Sequence, residues 1–221
     1  RERRVVFRCG RDYTIRDVID AAYFRGELKP CWEELLRGVE AEREANASEL
    51  EADDEAIASA AEGFRYERDL ITAEETEHWL EERGLTLEDF SDYFARAYWR
   101  KTLNAKAPAE PIAVYSASPE LRDLLTAELF FSGELDRIAR ELSWQVAASC
   151  APAGDDLPGG VIDAERERFF AREGIGADEM PGLLDQLERD QTWFAEMISL
   201  QAVYRRRCEI LLSGAAPNQE L

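Results

Sequence analysis

The stretch TAEETEHWLEERGLTLEDFSDYFARAYWRKTL, Thr72 to Leu103, decides how the rest of the chain is read. Thr72 stands three residues before Glu75, the spacing of a capping box in which side chain and backbone at a helix start satisfy each other's hydrogen bonds. Trp79 and Leu80 follow on the helix, and Gly84 is well placed to end it with a left-handed residue. Thr86 then opens a second helix with Asp89 three residues on. Leu85 and Phe90 sit at the two positions of a hydrophobic staple. Phe90, Tyr93, Phe94, Ala97 and Tyr98 recur at helical spacing, with Trp99 and Leu103 beside them. The pattern predicts a capped helical hairpin with an aromatic inner face.

The same signals extend in both directions. Upstream, Val5 to Cys9 is a short β-prone run, and Gly10-Arg11-Asp12 reads as a turn. Thr14 and Asp17 predict a capped helix carrying Val18, Ile19, Ala22 and Tyr23, with Tyr13 and Val18 as its staple and an end near Gly26. Pro30 opens a second helix whose apolar face is Trp32, Leu35, Leu36 and Val39. The Glu- and Ala-rich run from 40 to 55 reads as a solvated helix or a pair of helices broken near Ser48. Asp53 or Asp54 caps the next one, with Ile57, Ala60, Ala61 and Phe64 inward and the stem of Arg68 beside them.

Downstream, residues 104–117 are rich in Ala and Pro and are expected to be a linker. Ser118-Pro119-Glu120 marks a helix start. A helix bearing Ile138, Ala139, Leu142 and Val146 begins near Gly133. A breaker-rich loop covers 152–160, and Asp163 is the expected cap of a helix bearing Phe169 and Phe170. A short helix holds Leu183, Leu184 and Leu187. A long one from about Asp190 to Leu212 carries Trp193, Met197, Leu200 and Tyr204. The expected division is a helical unit over 1–103, the linker, a second unit over 118–213 packed on the first, and a frayed tail from 214 to 221. The order of elements in 64–101 is echoed in 170–207, which suggests two similar units. The fold class is all-α, with at most one short N-terminal strand or hairpin.

Composition narrows the function classes. The chain has 221 residues, 47 acids against 27 bases and a formal charge of −20. A chain of this length buries about 70% of its unfolded surface, enough for a substantial core. The negative field opposes binding to phosphate backbones and anionic membranes. It favours a basic peptide or protein face as partner, and a homo-oligomer is compatible with it. No run approaches the roughly 18–20 apolar residues of a membrane span. No secretory signal is recognisable after Arg1, so the cytoplasm is the expected compartment, and a removed leader would not be visible in this sequence. Cys9, Cys31, Cys150 and Cys208 are widely spaced, without metal-ligand spacing, and are expected to be reduced thiols, at least two of them in the core.

The chemistry-bearing residues are few. His78 is the one histidine of the chain. Glu75 and His78 have the i, i+3 spacing of a di-metal carboxylate bundle, but such a bundle needs two pairs. His78 stands among Glu74, Glu75 and Glu77, surroundings that suit a surface charge pair rather than a base beside a nucleophile. The glycines lack a strand–loop–helix phosphate pattern. No catalytic, cofactor-binding or metal-ligating residue is assigned, and no cofactor is expected. The aromatics remain. Adjacent Tyr98 and Trp99 cannot both face one core on a single helix, so part of this surface is expected to be available for contact. Trp79, Phe90, Tyr93, Phe94, Tyr98 and Trp99 are the candidate peptide- or partner-binding residues.

The segment Val5 to Val18, a short strand, a glycine turn and YTIRDV, resembles the start of foldases of the SurA/PpiC type. Phe64 to Leu103 is similar to the N-terminal helical region of bacterial peptidyl-prolyl isomerase-like proteins, including those associated with peptide maturation. Phe64, Arg65, Leu70, Thr72, Thr76, Trp79, Leu80, Gly84, Leu85, Thr86, Asp89 and Phe90 fit that pattern, and the resemblance covers about half the chain. It implies a SurA-like helical array that holds an extended client. The parvulin domain that carries isomerase activity in that family has no counterpart, since this chain lacks its histidines and any strand-rich segment after Leu103. The resemblance therefore implies a non-catalytic, chaperone-like binding module. An acidic adaptor serving one protein partner in a larger bacterial complex is the second reading, and an enzyme using carboxylates alone is the third.

Overall fold

The computed structural model describes residues 1–104, 118–150 and 160–214. Helices dominate. A two-stranded antiparallel hairpin, β1 (Val5–Cys9) and β2 (Arg11–Thr14), precedes ten helices among the described residues. These are α1 (Ile15–Phe24), α2 (Lys29–Ala47), α3 (Asp54–Tyr66), α4 (Ala73–Glu81), α5 (Leu87–Leu103), α6 (Pro119–Phe131), α7 (Glu134–Cys150), α8 (Val161–Glu173), α9 (Met180–Leu187) and α10 (Gln191–Gly214). The protein is thus all-α with one small hairpin, as expected. Most of the expected linker, residues 105–117, lies outside the described residues, as do the loop 151–159 and the tail beyond Gly214.

The chain forms two compact units, and neither is continuous in sequence. Unit 1 comprises Arg1–Arg4 and Leu28–Asp136, and unit 2 comprises Val5–Glu27 and Arg137–Leu221. This differs from the expected division at 104–117. That expectation followed composition, whereas compactness follows packing. The hairpin and α1 pack in the same unit as α8, where Phe24 stacks on Phe169 at 4.6 Å, so the first 27 residues are split between units.

Local sequence sets the helix ends. Thr14, Thr72 and Thr86 each form a full capping box, with Asp17, Glu75 and Asp89 as the reciprocal partners. The Thr86 amide donates to Asp89 Oδ2 at 2.7 Å, and the Asp89 amide donates to Thr86 Oγ1 at 3.1 Å. Gly84 takes φ +64°, and the Leu85 amide reaches back to the Leu80 carbonyl at 2.9 Å. That bond closes the turn between α4 and α5 as a left-handed cap does. The acidic run does break: α2 ends at Ala47, and Asp53 caps α3 by accepting from the Ala56 amide at 3.0 Å.

Four local expectations need correction. Arg11 and Asp12 belong to β2, and the reversal is made at Gly10, φ +70°, because Cys9 already pairs with Arg11. Ala60 is exposed, since α3 buries only a narrow face around Phe64. Asp163 is inside α8, whose N-cap is Gly160, and it pairs with Arg166 at 2.9 Å. Helix α10 runs to Gly214, two residues past the expected end at Leu212.

In unit 1 the core gathers Phe64, Leu70, Leu80, Leu85, Phe94, Ala127 and Phe131, with Trp79, Phe90 and Tyr93 packed against it. Phe131 touches the rings of Phe64, Trp79, Phe90 and Tyr93, with centroids 4.9–6.0 Å apart. A smaller cluster of Ala41, Ala45 and Trp99, joined by Tyr98 and Leu103, lies along α2 and α5. Gly38 of α2 faces Arg96 of α5, where a Cβ would make an ordinary contact 3.6 Å from Arg96 Cβ. In unit 2 the buried residues include Val18, Ile19, Phe24, Ile138, Leu142, Phe169, Leu184, Trp193, Phe194 and Ile198.

Two substitutions test this packing. Phe131→Ala removes a ring shared by four others and is expected to cost about 3–5 kcal/mol. Leu87→Ala, at an exposed position of α5, is expected to cost under about 0.5 kcal/mol. Urea denaturation of the two variants should separate them clearly, and equal midpoints would contradict the placement of Phe131. In the same assay Thr86→Ala should cost about 1 kcal/mol through loss of the cap.

Candidate functional site

The six candidate aromatics are brought together, but as core. Phe94 and Trp99 are buried, and Trp79, Phe90, Tyr93 and Tyr98 pack against the two clusters of unit 1. Tyr98 and Trp99 meet edge to face at 4.9 Å and join one cluster. The two adjacent residues share one cluster unequally: Trp99 is buried in it and Tyr98 packs against it partly exposed. Arginines cover much of the rest. Arg68 lies over the Phe64 ring at 3.7 Å and Arg83 over the Trp79 ring at 4.2 Å, an attractive placement of cation on ring face.

The Glu75–His78 spacing resolves just as plainly. Glu75 accepts from the Ile71 and Thr72 amides, each at 2.8 Å. These bonds and the Thr72 hydroxyl hold its carboxyl below the usual carboxylate range. It serves the cap of α4. His78 is exposed and pairs with Glu82 at 3.4 Å. Among the described residues no group of three or more Cys, His, Asp or Glu is placed to hold a metal ion.

What the sequence did not reveal is a set of buried carboxylates, each held by arginines. In unit 1, Glu128 of α6 accepts from Arg100 of α5 at 3.1 Å, and Arg96 stands 3.9 Å away. The side chains of Arg96 and Glu128 are 4% and 8% exposed. Arg96 Nε and Nη2 have no hydrogen-bond partner, so the arginine contributes attraction across space rather than a bond. Burial pushes the Glu128 carboxyl up, against the pull of both arginines. Arg100 also pairs with Glu34 of α2 at 3.2 Å, which ties three helices to one ionic cluster.

Unit 2 has two such groups. Arg189, between α9 and α10, donates to Asp20 at 2.7 Å and to Asp17 at 2.9 Å. Burial nevertheless lifts the Asp20 carboxyl to about 6, outweighing Arg189 and Arg16. Asp17 moves the other way: burial raises it, but the Thr14 amide and hydroxyl, Arg189 and Arg11 together lower it. Glu165 of α8 is buried and bridges Arg168 at 2.6 Å and Arg205 of α10 at 3.0 Å. A pattern signal existed for Glu165 and Arg168, which are i, i+3. Glu128 and Asp20 looked like any other acids in a chain with 47 of them.

The surface carries two further features. A cleft of about 350 Å³ in unit 1 is lined by Arg1, Glu2, Arg3, Pro119, Arg122 and Asp123. Arg1 is already engaged there with Asp89 at 2.8 Å and Asp123 at 3.3 Å. The end of α10 in unit 2 presents Ile210, Leu211 and Leu212 at 42%, 72% and 75% exposure. Trp144 of α7 is likewise exposed. Trp144 belongs to the surplus aromatics visible in the sequence, whereas the last apolar triplet reads there as one more helical turn.

No protein-family model, curated protein or solved structure matches the chain. The class that fold and surface define is an all-α protein with a short N-terminal hairpin. No described helix is long and apolar enough to cross a membrane.

The carboxylates give two measurable consequences. Asp20 has a folded value above its ordinary 3.8, so the native state keeps a proton that the unfolded chain releases. The stability it contributes is complete below pH about 4 and is lost as pH rises through about 6. The stability of the natural protein minus that of Asp20→Asn should therefore fall between pH 4 and 6, by on the order of 1–3 kcal/mol. Urea titrations at stepped pH would show it, and a difference independent of pH would contradict it. Glu128→Gln leaves Arg96 and Arg100 without their buried counter-charge and should cost about 3 kcal/mol at neutral pH, read by the same denaturation.

Proposed function

We propose that this chain is a non-catalytic helical module that binds a peptide or protein client in a chaperone-like way. The observation that carries the reading is the end of α10, where three consecutive apolar residues are exposed on a chain of charge −20. Water contact with such a triplet is costly, at about 25 cal/mol for each Å² of apolar surface. A partner that covers it recovers that energy, and the whole chain's net charge of −20 favours a partner that is basic as well as apolar. The resemblance of Phe64 to Leu103 to the helical region of bacterial foldases agrees with this reading. In unit 1 the residues of that pattern act as caps, turn and core. They would build the scaffold, while contact with the client falls to other residues.

A second reading, an acidic adaptor for one protein partner, is favoured by the placement of the six aromatics. With those rings packed inward, the exposed large apolar residues among the described residues are scattered, and Ile210, Leu211 and Leu212 form their one run of three, which suits one complementary face better than many unrelated clients.

The two readings separate in solution. A chaperone-like module suppresses aggregation of unrelated unfolded proteins at substoichiometric to equal ratios. An adaptor leaves them unprotected and captures one protein at fixed stoichiometry. In either case Leu211→Glu with Leu212→Glu should leave the helical circular-dichroism signal intact and weaken binding of a basic, apolar peptide at least tenfold. Affinity should fall as salt rises from 50 to 500 mM. Undiminished binding by the double variant would remove the end of α10 from the interface.

A further inference from the structure

Cys9 and Cys150 are 141 residues apart in sequence, yet their sulfurs lie 3.6 Å from each other in unit 2. Cys9 is the last residue of β1, and Cys150 is the last residue of α7. Both are within reach of solvent: Cys9 is half-buried and Cys150 exposed. None of the four cysteines is buried in the core, contrary to the expectation that two or more would fill it. A disulfide needs sulfurs about 2.05 Å apart. From 3.6 Å the remaining closure is about 1.5 Å.

We infer that Cys9 and Cys150 form a redox-sensitive thiol pair, a modification site at which a low-molecular-weight disulfide converts the two thiols into one intramolecular disulfide. The chemistry is thiol–disulfide exchange. One protein thiolate attacks a sulfur of oxidised glutathione, a protein–glutathione disulfide forms, and one glutathione leaves as thiolate. The other protein thiolate then attacks the protein sulfur of that mixed disulfide and expels the second glutathione. The two protein thiols have lost two hydrogens, and oxidised glutathione has gained them as two thiols.

The position gives the bond a structural consequence. A two-stranded hairpin has little stability of its own, and this one is held mainly on one face. Tyr13 is buried and stacks on Phe7 at 4.6 Å, and Arg11 covers the Tyr13 ring while pairing with Glu196 at 3.2 Å. On β1, Val5 and Val6 are exposed. A disulfide at Cys9 fixes the turn end of the hairpin to α7 and closes a loop long enough for a large loss of unfolded-state entropy. The hydrogen bond with Cys150 raises the Cys9 thiol above its ordinary value, with burial adding to it, so exchange through Cys9 should accelerate as pH rises above neutral.

The test treats the full chain with oxidised glutathione at pH 8 and follows mass, thiol titre and melting. The expected product is a monomer two mass units lighter, with titratable thiols reduced from four to two. Peptide mapping should link Cys9 to Cys150. The melting temperature should rise by about 5–10 °C and return on adding dithiothreitol. Cys9→Ser and Cys150→Ser should each abolish the cross-link, and Cys31→Ser with Cys208→Ser should leave it. Circular dichroism before oxidation confirms that each variant is folded. Stable glutathione adducts without a cross-link would overturn the inference. So would a bond engaging Cys31 or Cys208, or a disulfide between two molecules.

Discussion

Charge removed from water is the constraint on which helix packing in this protein rests. Glu128, Asp20 and Glu165 are each buried on one helix and each met by arginine from another segment. A buried carboxylate without a partner costs several kcal/mol. The helices can therefore pack only in registers that deliver the guanidinium to the acid. Apolar contacts alone would tolerate sliding by a turn, because one leucine or alanine surface resembles the next. In unit 1 Arg100 settles the register of α5 against both α2 and α6, since Glu34 and Glu128 are its two partners. In unit 2 Arg189 sets the start of α10 against α1, and Arg205 sets α10 against α8.

Helix termini act on the same elements from the other direction. The three threonine capping boxes fix where α1, α4 and α5 begin. At the end of α1 the chain closes with Gly26 at φ +78°, where the Glu27 amide bonds to Ala22. Arg172 of α8 lies against this turn and donates to the Phe24 carbonyl. A Cβ at residue 26 would come within 2.9 Å of the Arg172 side chain. Glycine there satisfies both the left-handed backbone and the approach of the arginine, so the end of one helix and the packing of another are a single arrangement.

The sequence was most legible where the physics is local. The caps at Thr14, Thr72 and Thr86, the left-handed Gly84 and the faces of α2, α7 and α9 depend on neighbours within a turn or two, and each forms as its residues require. What depends on distant partners was not legible. The assignment of Val5–Glu27 and Arg137–Leu221 to one unit arises from contacts such as Phe24 with Phe169, which no spacing rule encodes. The thiols at 9 and 150 show no motif because their proximity is created by the fold alone. The aromatic residues read from the sequence as mostly core with part of their surface left for contact, and ring-on-ring packing around Phe131 accounts for the core part.

That absorption bears directly on how the molecule can meet a partner. Edge-to-face rings leave electron-rich faces at the margin of a cluster, and here arginines occupy several of them. Arg68 covers Phe64, Arg83 covers Trp79, Arg172 lies 5.2 Å from the Phe169 centroid and Arg189 lies 5.3 Å from that of Trp193. The stems of these side chains shield apolar area while their heads remain near water or acid. Pairing one base with one acid leaves the balance of 27 bases against 47 acids at −20, so the charge outside the ion pairs remains acidic. For the proposed binding role, recognition falls to side chains that stay uncovered, such as the aliphatic residues at the end of α10, on a chain whose net charge of −20 attracts positive charge. A client that brings both an apolar strip and basic residues meets both conditions, whereas a purely aromatic-seeking peptide would find those rings already occupied.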